Sequence, residues 1–351
     1  MQEFRRILVV RTDRIGDVIL TLPMLELLRR KFPSAHIAML VRYYTKDLVD
    51  DNKNLDEIIL YDDGETLVPF FTLTSILRRK KFDVAFVTYP RFRLASLMWW
   101  ARIPLRVGTG YRWYSFLFNK RVYVHRSVAE KHEAEYNVDL IKAVGCEVKA
   151  IPYPHLEVPQ GVTDNVKARL PEFRISTDKS LIILHPGSGG SARDWSPKKF
   201  GQLGARLAKL PETQIAVTGG KGEENLVRTV AQMVGVNTPV IVDQLSLLQY
   251  AALASFAELL VANSTGPLHI AAAVGTPVIG LYPQITAMSE KRWGPFTSKK
   301  AVFVPRNKPI HCNDCLRGAI KECECMNTIS VDEVFEAAKL HLQSGELSET
   351  K

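Results

Sequence analysis

ELLVANSTGPLHIAAAVGTPVIGLYP, residues 258–283, decides the fold. An apolar run enters a small polar turn, a helix-compatible segment follows, and a Gly-Thr-Pro break leads into a second apolar run. That is the strand, turn, helix, strand unit of a parallel sheet. Asn263, Ser264 and Thr265 are small side chains suited to an N-cap, and Gly266 and Pro267 suit the first helical turn, where the missing proline N–H costs nothing. Backbone N–H groups and the positive end of the helix dipole then face the crevice beyond the strand ends, a place that favours a phosphate. His269 lies one turn in, on the side that reaches the same anion.

Working outward, the same logic recurs on both sides. LIIL (181–184) runs into HPGSGGSARDWSPKKF (185–200), and QIAV (214–217) runs into TGGKGEE (218–224). Towards the N-terminus, ILVV (7–10) leads into RTDRIGD (11–17) and an amphipathic stretch ended by Phe32 and Pro33. HIAMLV (36–41), EIILY (57–61) and DVAFVT (83–88) repeat the strand signal, and residues 131–144 read as a helix closed by Gly145. IPYPHLEVPQGV (151–162), with three prolines and a glycine, reads as a linker. The expectation is an α/β protein with two domains, residues 1–160 and 161–330. A C-terminal helix over 331–351 is expected to pack back on the first domain and to end in a frayed tail.

A chain of 351 residues exceeds the usual size of a single core, and 46% apolar with 24% charged residues is the composition of an ordinary globular protein. The N-terminal apolar run is too short for a signal peptide or a span, so the expected location is the cytoplasm. The net charge is +9 and unevenly placed: residues 78–131 hold thirteen basic residues against two acidic ones, an excess of +11. Such an excess points to an acidic partner on one face. The segment is interleaved with Phe92, Trp99, Trp100, Tyr111, Trp113, Tyr114, Phe116 and Phe118, a mixture suited to acidic sugars of a glycolipid and to the membrane surface beside them. No recognisable RNA or DNA module accompanies it, so no nucleic acid is expected.

Four turns stand at strand C-termini, the edge where open α/β sheets bind ligands: residues 11–17, 185–194, 218–224 and 263–269. Glycines and serines at 187–191 offer N–H donors, Arg193 a charge for a phosphate, and Glu223 an acceptor for ribose hydroxyls. Gly16 admits close backbone approach, and Asp17 follows it at the head of a helix. A carboxylate there suits proton abstraction from an alcohol; Asp13, in the loop, is the rival. Cys312, Cys315, Cys323 and Cys325 form C-x2-C-x7-C-x-C, read either as a structural zinc site or as reduced thiols, since only the first pair has common zinc spacing. There is no Asp-x-Asp, Gly-x-Ser-x-Gly or His-Glu-x-x-His, so metal-diphosphate, serine-hydrolase and zinc-protease chemistry are not signalled.

RTDRIGDVILTLPMLELLRRKFP, HPGSGGSARDWSPKKF, TGGKGEE and NSTGPLHIAAAVGTPVIGLY together closely resemble glycosyltransferase family 9, the ADP-heptose:lipopolysaccharide heptosyltransferases, and the similarity extends to His132 and Glu133. The resemblance implies a GT-B fold, with two Rossmann-like domains facing a central cleft, and an inverting, metal-independent sugar transfer that needs no cofactor besides its ADP-sugar donor. It carries Asp17 to the catalytic base. It places Ser188 and Gly189 in the phosphate loop with Gly16 near the donor, Arg193 at a family lysine, Glu223 at the ribose, and Thr265, Gly266 and His269 at the diphosphate. Where many members have aspartate before Thr-Gly, this chain has Ser264, which leaves the sugar open between heptose and a related one. For an acidic lipid-linked saccharide acceptor on the inner face of the cytoplasmic membrane, the candidates are Arg91, Arg93, Arg112 and His132. The alternative is a binding protein that keeps the fold without turnover.

Overall fold

The structure, a computed structural model, describes residues 3–306, 324–344 and 347. The chain divides into two compact units, Met1–Glu157 and Val158–Lys351, with the division inside the proline-rich stretch.

The first unit is built on six strands: β1 (Arg6–Val10), β2 (His36–Val41), β3 (Glu57–Leu60), β4 (Val84–Val87), β5 (Leu105–Thr109) and β6 (Lys120–Val122). They form one sheet in the order β3-β2-β1-β4-β5-β6, all pairs parallel. The helices are α1 (Ile15–Ile19), α2 (Leu22–Lys31), α3 (Phe70–Arg79), α4 (Phe92–Trp100) and α5 (Glu133–Lys142). Because helices cover a parallel sheet, its central strands are apolar along their whole length; Val84, Ala85, Phe86 and Val87 of β4 are all buried. Leu73 and Leu77 of α3 and Leu94 and Leu97 of α4 close one face of the core over Leu8, Val10 and Leu40. Each such side chain contributes about 1.5–3 kcal/mol on burial.

The second unit repeats the plan. Its strands are β7 (Ser180–His185), β8 (Thr213–Gly219), β9 (Val240–Val242), β10 (Ala257–Asn263), β11 (Val278–Leu281) and β12 (Lys300–Phe303), all parallel, in the order β12-β11-β10-β7-β8-β9. The helices are α6 (Gln160–Arg169), α7 (Pro197–Leu207), α8 (Glu224–Val234), α9 (Leu247–Ser255), α10 (Gly266–Ala273), α11 (Glu290–Trp293) and α12 (Val331–Ser344). Counted from its own first strand, this sheet has the same order as the first, so each reverses direction once, between β1 and β4 and between β7 and β10. The loops leaving those strands diverge and open a crevice beyond their carboxyl ends.

The closing helix buries its apolar face in the second unit: Val334, Ala337 and Ala338 of α12 sit in that unit's core with Trp195 and Phe200. The Trp195 indole donates to Ile329 O at 3.1 Å, the Arg206 guanidinium lies 4.0 Å from the Phe335 ring centroid, and Leu347 packs on the same cluster. No helix among the described residues is long and apolar enough to cross a membrane.

Candidate active site

In the first unit the turn after β1 is organised by a guanidinium. Arg11 is almost wholly buried, and its planar fork donates from Nε to Asp13 Oδ1 at 2.7 Å, from Nη2 to Asp17 Oδ1, and from Nη1 to both Glu133 Oε1 and Asn137 Oδ1 at 3.2 Å. Arg126 meets the same Glu133 oxygen and reaches Asn137 Oδ1 at 3.3 Å. Asn137 donates back to Leu20 O at 3.1 Å and Thr21 Oγ1 at 3.2 Å, and Thr21 donates to Asp17 O at 2.8 Å. The turn and the start of α5 are thereby locked together.

Three carboxylates, Asp13, Asp17 and Glu133, share two guanidinium groups. Burial lowers the acidity of Asp13 first; Arg11 opposes that, Asp17 adds to it, and the Asp13 carboxyl is pushed up to about 7. On Arg11 burial acts to lower the pKa, but the surrounding carboxylates outweigh it and hold the cation firmly protonated. Asp17, 9% exposed, lies in the first turn of α1 just after Gly16. The result is a carboxylate pair around one fixed cation, with one member able to carry a proton near neutrality.

In the second unit the loops after β7, β8 and β10 converge. Asn263, fully buried at the end of β10, donates to Pro186 O at 2.7 Å and accepts from Trp195 N at 2.9 Å, so it ties down both ends of the glycine-rich loop. Ser191 Oγ lies 2.7 Å from Ser188 O and 3.0 Å from Ser264 O, joining that loop to the turn before α10. Thr265 is the N-cap residue of α10 but makes no side-chain cap hydrogen bond; Gly266 and Pro267 follow in the first turn, and His269 is buried one turn in. Asn263 is therefore a clamp between loops, not the cap its position suggested.

Glu223 occupies the centre of this edge. Gly189, in the left-handed region at φ +55°, donates from N to Glu223 Oε1 at 3.2 Å, and Gly220 N donates to Oε2 at 2.8 Å. A Cβ on Gly187 would run into the same carboxylate, so a larger residue there would displace the Glu223 side chain. His185 lies 3.9 Å away from Glu223 and bonds Thr218 Oγ1 through Nδ1 at 2.8 Å. Burial pulls the His185 pKa down to about 4 despite Glu223, so the ring is neutral. Asp194 is pushed up to about 6, chiefly by burial, with Ser188 and Arg193 opposing and Glu223 reinforcing. Sequence reading marked the 11–17 and 185–194 turns and met Glu133 through the family resemblance, but gave no role to Arg11, Asn137, His185 or Asp194; a buried-strand run ending directly in a charged or titratable residue, at Arg11 and at His185, was the available signal.

The expected acceptor residues separate. Arg91 and Arg112 are exposed, Arg91 lying 4.7 Å from the Tyr89 ring centroid with a hydrogen bond to its hydroxyl. Arg93 is instead engaged within its own unit: it donates to Val68 O and lies over the Tyr61 and Phe70 rings at 5.6 and 5.7 Å. His132 is buried as the N-cap of α5, where its Nδ1 accepts from Ala134 N at 3.2 Å and Glu135 closes the capping box. Of the cysteine cluster, Cys312, Cys315 and Cys323 lie outside the described residues, and Cys325 is buried against the second unit's core.

Comparison with known proteins adds an independent line. A Haemophilus influenzae protein whose glycosyltransferase assignment is provisional is 29% identical over 308 residues, 86% of this chain and 89% of its own. A solved glycosyltransferase family 9 structure from Veillonella parvula superposes with a TM-score of 0.85 at 22% identity, covering 98% and 99% of the two chains. The Escherichia coli ADP-heptose lipopolysaccharide heptosyltransferase II does so with a TM-score of 0.79 at 21% identity, covering 97% and 100%. At these identities the structures speak for the fold, two Rossmann-like units of GT-B type. The model of glycosyltransferase family 9 (heptosyltransferase) matches residues 70–319, well over half of the sequence, and the chain belongs to that family.

Proposed function

We propose that the protein moves a heptose or a related sugar from an ADP-sugar to an acidic lipid-linked saccharide of the lipopolysaccharide core, with inversion and without a metal ion, on the cytoplasmic side of the membrane. In this reading the acceptor hydroxyl loses its proton to Asp17 as its oxygen forms the new bond to the anomeric carbon. The bond from that carbon to the diphosphate breaks on the opposite face, and ADP departs with the electron pair. The leaving charge is met by Arg193 and by the N-terminal end of α10 at Thr265 and Gly266, with His269 one turn in, while Ser188, Gly189 and Glu223 shape the nucleotide side. The Escherichia coli relative's ADP-heptose supports the choice of donor. The observation that carries the reading is the Asp13, Arg11, Asp17 arrangement: a carboxylate pair fixed on one buried cation at the turn after β1.

A base must be ionised when the substrate binds. Both aspartates bond Arg11, but burial pushes the Asp13 carboxyl up to about 7, so Asp13 is assigned the proton-bearing neighbour and Asp17, just after Gly16 at the head of α1, the base. Replacing Asp17 by Asn should lower kcat by about a hundred- to ten-thousand-fold, read as ADP released in the presence of lipopolysaccharide core, while ADP-sugar affinity by calorimetry stays near wild type. Near-normal turnover by that variant would refute the assignment.

A further inference from the structure

We propose that the exposed face built by α3 and α4 docks the protein on an anionic phospholipid surface. On α4 the core side is taken by Leu94, Ala95, Leu97 and Met98, which leaves Phe92 and Trp99, seven residues apart and so two turns along one side, facing out. Phe92 stacks on Trp113 at 4.9 Å between centroids. Trp99 meets Trp100 edge-on at 5.5 Å, and Trp100 meets Phe71 of α3 edge-on at 6.4 Å. The five rings are 47–74% exposed, resting on one another and, through Tyr114 and Phe70, on the rim of the core. The rings form two exposed groups, Phe92 with Trp113 and Trp99 with Trp100 and Phe71, two turns apart along α4, and exposed large apolar groups of this kind mark an interaction site.

The charges around the rings choose the partner. Arg78 lies two turns from Phe71 on the same side of α3 and donates to Trp100 O; Arg102 follows α4, and Arg91 and Arg112 stand at the Phe92 and Trp113 end. None of these four arginines is within salt-bridge distance of a carboxylate among the described residues. Of the two acidic residues in 78–131, Asp83 already accepts from the backbone N–H groups of Arg5 and Arg6 at 2.7 and 2.8 Å. A second copy of the same face would set arginine against arginine. Lipid phosphates neutralise them, while tryptophan and phenylalanine enter the headgroup boundary. The surface does not depend on the transfer reaction, since its test reads binding and not turnover.

The test is flotation of the full chain with phosphatidylethanolamine vesicles containing phosphatidylglycerol, against vesicles of phosphatidylcholine alone. Binding is expected to the first and to fall with added salt. The Arg78→Gln, Arg102→Gln pair should weaken it by about thirtyfold, about fivefold per arginine, and the Phe71→Ser, Trp100→Ser pair should reduce it at least as much, both with wild-type melting curves. Should either pair fail to fold, quenching of the wild-type tryptophan emission by brominated lipids carries the test: quenching supports insertion, and its absence overturns it. Equal binding to both vesicle types, unchanged binding by the variants, or no vesicle binding together with a dimer that Phe71→Ser, Trp100→Ser abolishes would each overturn the proposal, the last assigning the face to a second copy.

Discussion

Replacing Arg11 by Met removes the cation around which the first unit's site is built while keeping side-chain length and burial. In the native protein two guanidinium groups offset three carboxylates, and the substitution leaves Arg126 alone against Asp13, Asp17 and Glu133. Breaking a buried ion pair from one side costs about 3–5 kcal/mol, because the remaining charge has neither partner nor water. The carboxylates can escape by taking up protons, so the loss must depend on pH. For Asp13 the sign is fixed by its direction: the folded pKa, about 7, lies above the ordinary value of 3.8, so the native state holds a proton that the unfolded chain releases, and this group's contribution declines as pH rises through that window. Without Arg11 the Asp13 carboxyl moves further up. Below about pH 7 it is protonated in both folded proteins, so the penalty relative to wild type should grow only above that, by about 1.4 kcal/mol per pH unit while the variant keeps a proton the native protein has lost, read from about pH 5 to about pH 9. Thermal melts of both proteins across that range measure it, with Arg11→Lys separating charge from fork geometry. A difference that is flat in pH, or under about 1 kcal/mol at the alkaline end, would refute the view that Arg11 is the electrostatic centre of this turn.

Asn263→Ala leaves Pro186 O and Trp195 N without their buried partners and should cost about 2–4 kcal/mol; calorimetric titration with ADP should show affinity falling as well, because both ends of the glycine-rich loop are released. Gly187→Ala places a methyl where the Glu223 carboxylate lies, so Glu223 must leave the Gly189 and Gly220 amides; nucleotide affinity should drop while the melting point falls little, and unchanged affinity would show that Glu223 is not needed there. His185, held neutral with its pKa lowered to about 4, favours the unfolded chain once that chain protonates below about 6.5, so stability should decline by about 3 kcal/mol from about pH 6.5 to 4. His185→Gln should flatten that part of the stability profile.

Most of the strands that sequence reading found are buried on both faces; EIILY, the edge strand β3 with only Ile59 buried along Glu57–Leu60, is an exception. ILVV, HIAMLV, DVAFVT and LIIL are continuous apolar runs because a parallel sheet covered by helices gives them no solvent side. β5, β6, β9 and β12 were not legible for the converse reason. β6 is Lys-Arg-Val at a sheet edge, with register Val107 to Lys120 and Thr109 to Val122, and its existence depends on the neighbouring strand supplying hydrogen-bond partners. The closing helix shows the same limit: its amphipathic pattern states that one face is buried, but not against which sheet. Only the fit of Val334, Ala337 and Ala338 beside Trp195 decides that.

The candidate site was legible where turn chemistry is local and hidden where it is not. Gly16, Asp17, Thr265 and Gly266 announce themselves within a few residues, whereas Arg11 bonds Glu133 and Asn137 across more than a hundred residues, and no local pattern encodes that. The glycine-rich loop is the instructive case, because glycine has two physical uses. Read alone, residues 187–191 offer amides to a phosphate. In the fold Gly187 makes room for the Glu223 carboxylate and Gly189 gives its amide to it. A carboxylate that close opposes an anion, so the favourable potential for a diphosphate must come from elsewhere on the same edge. In the proposed function that part is assigned to the start of α10, where no side chain caps the helix, together with Arg193. On that proposed function Glu223 would act as a divider that keeps the phosphates towards α10 and leaves its own side of the crevice to neutral hydroxyl groups, from which a carboxylate accepts hydrogen bonds.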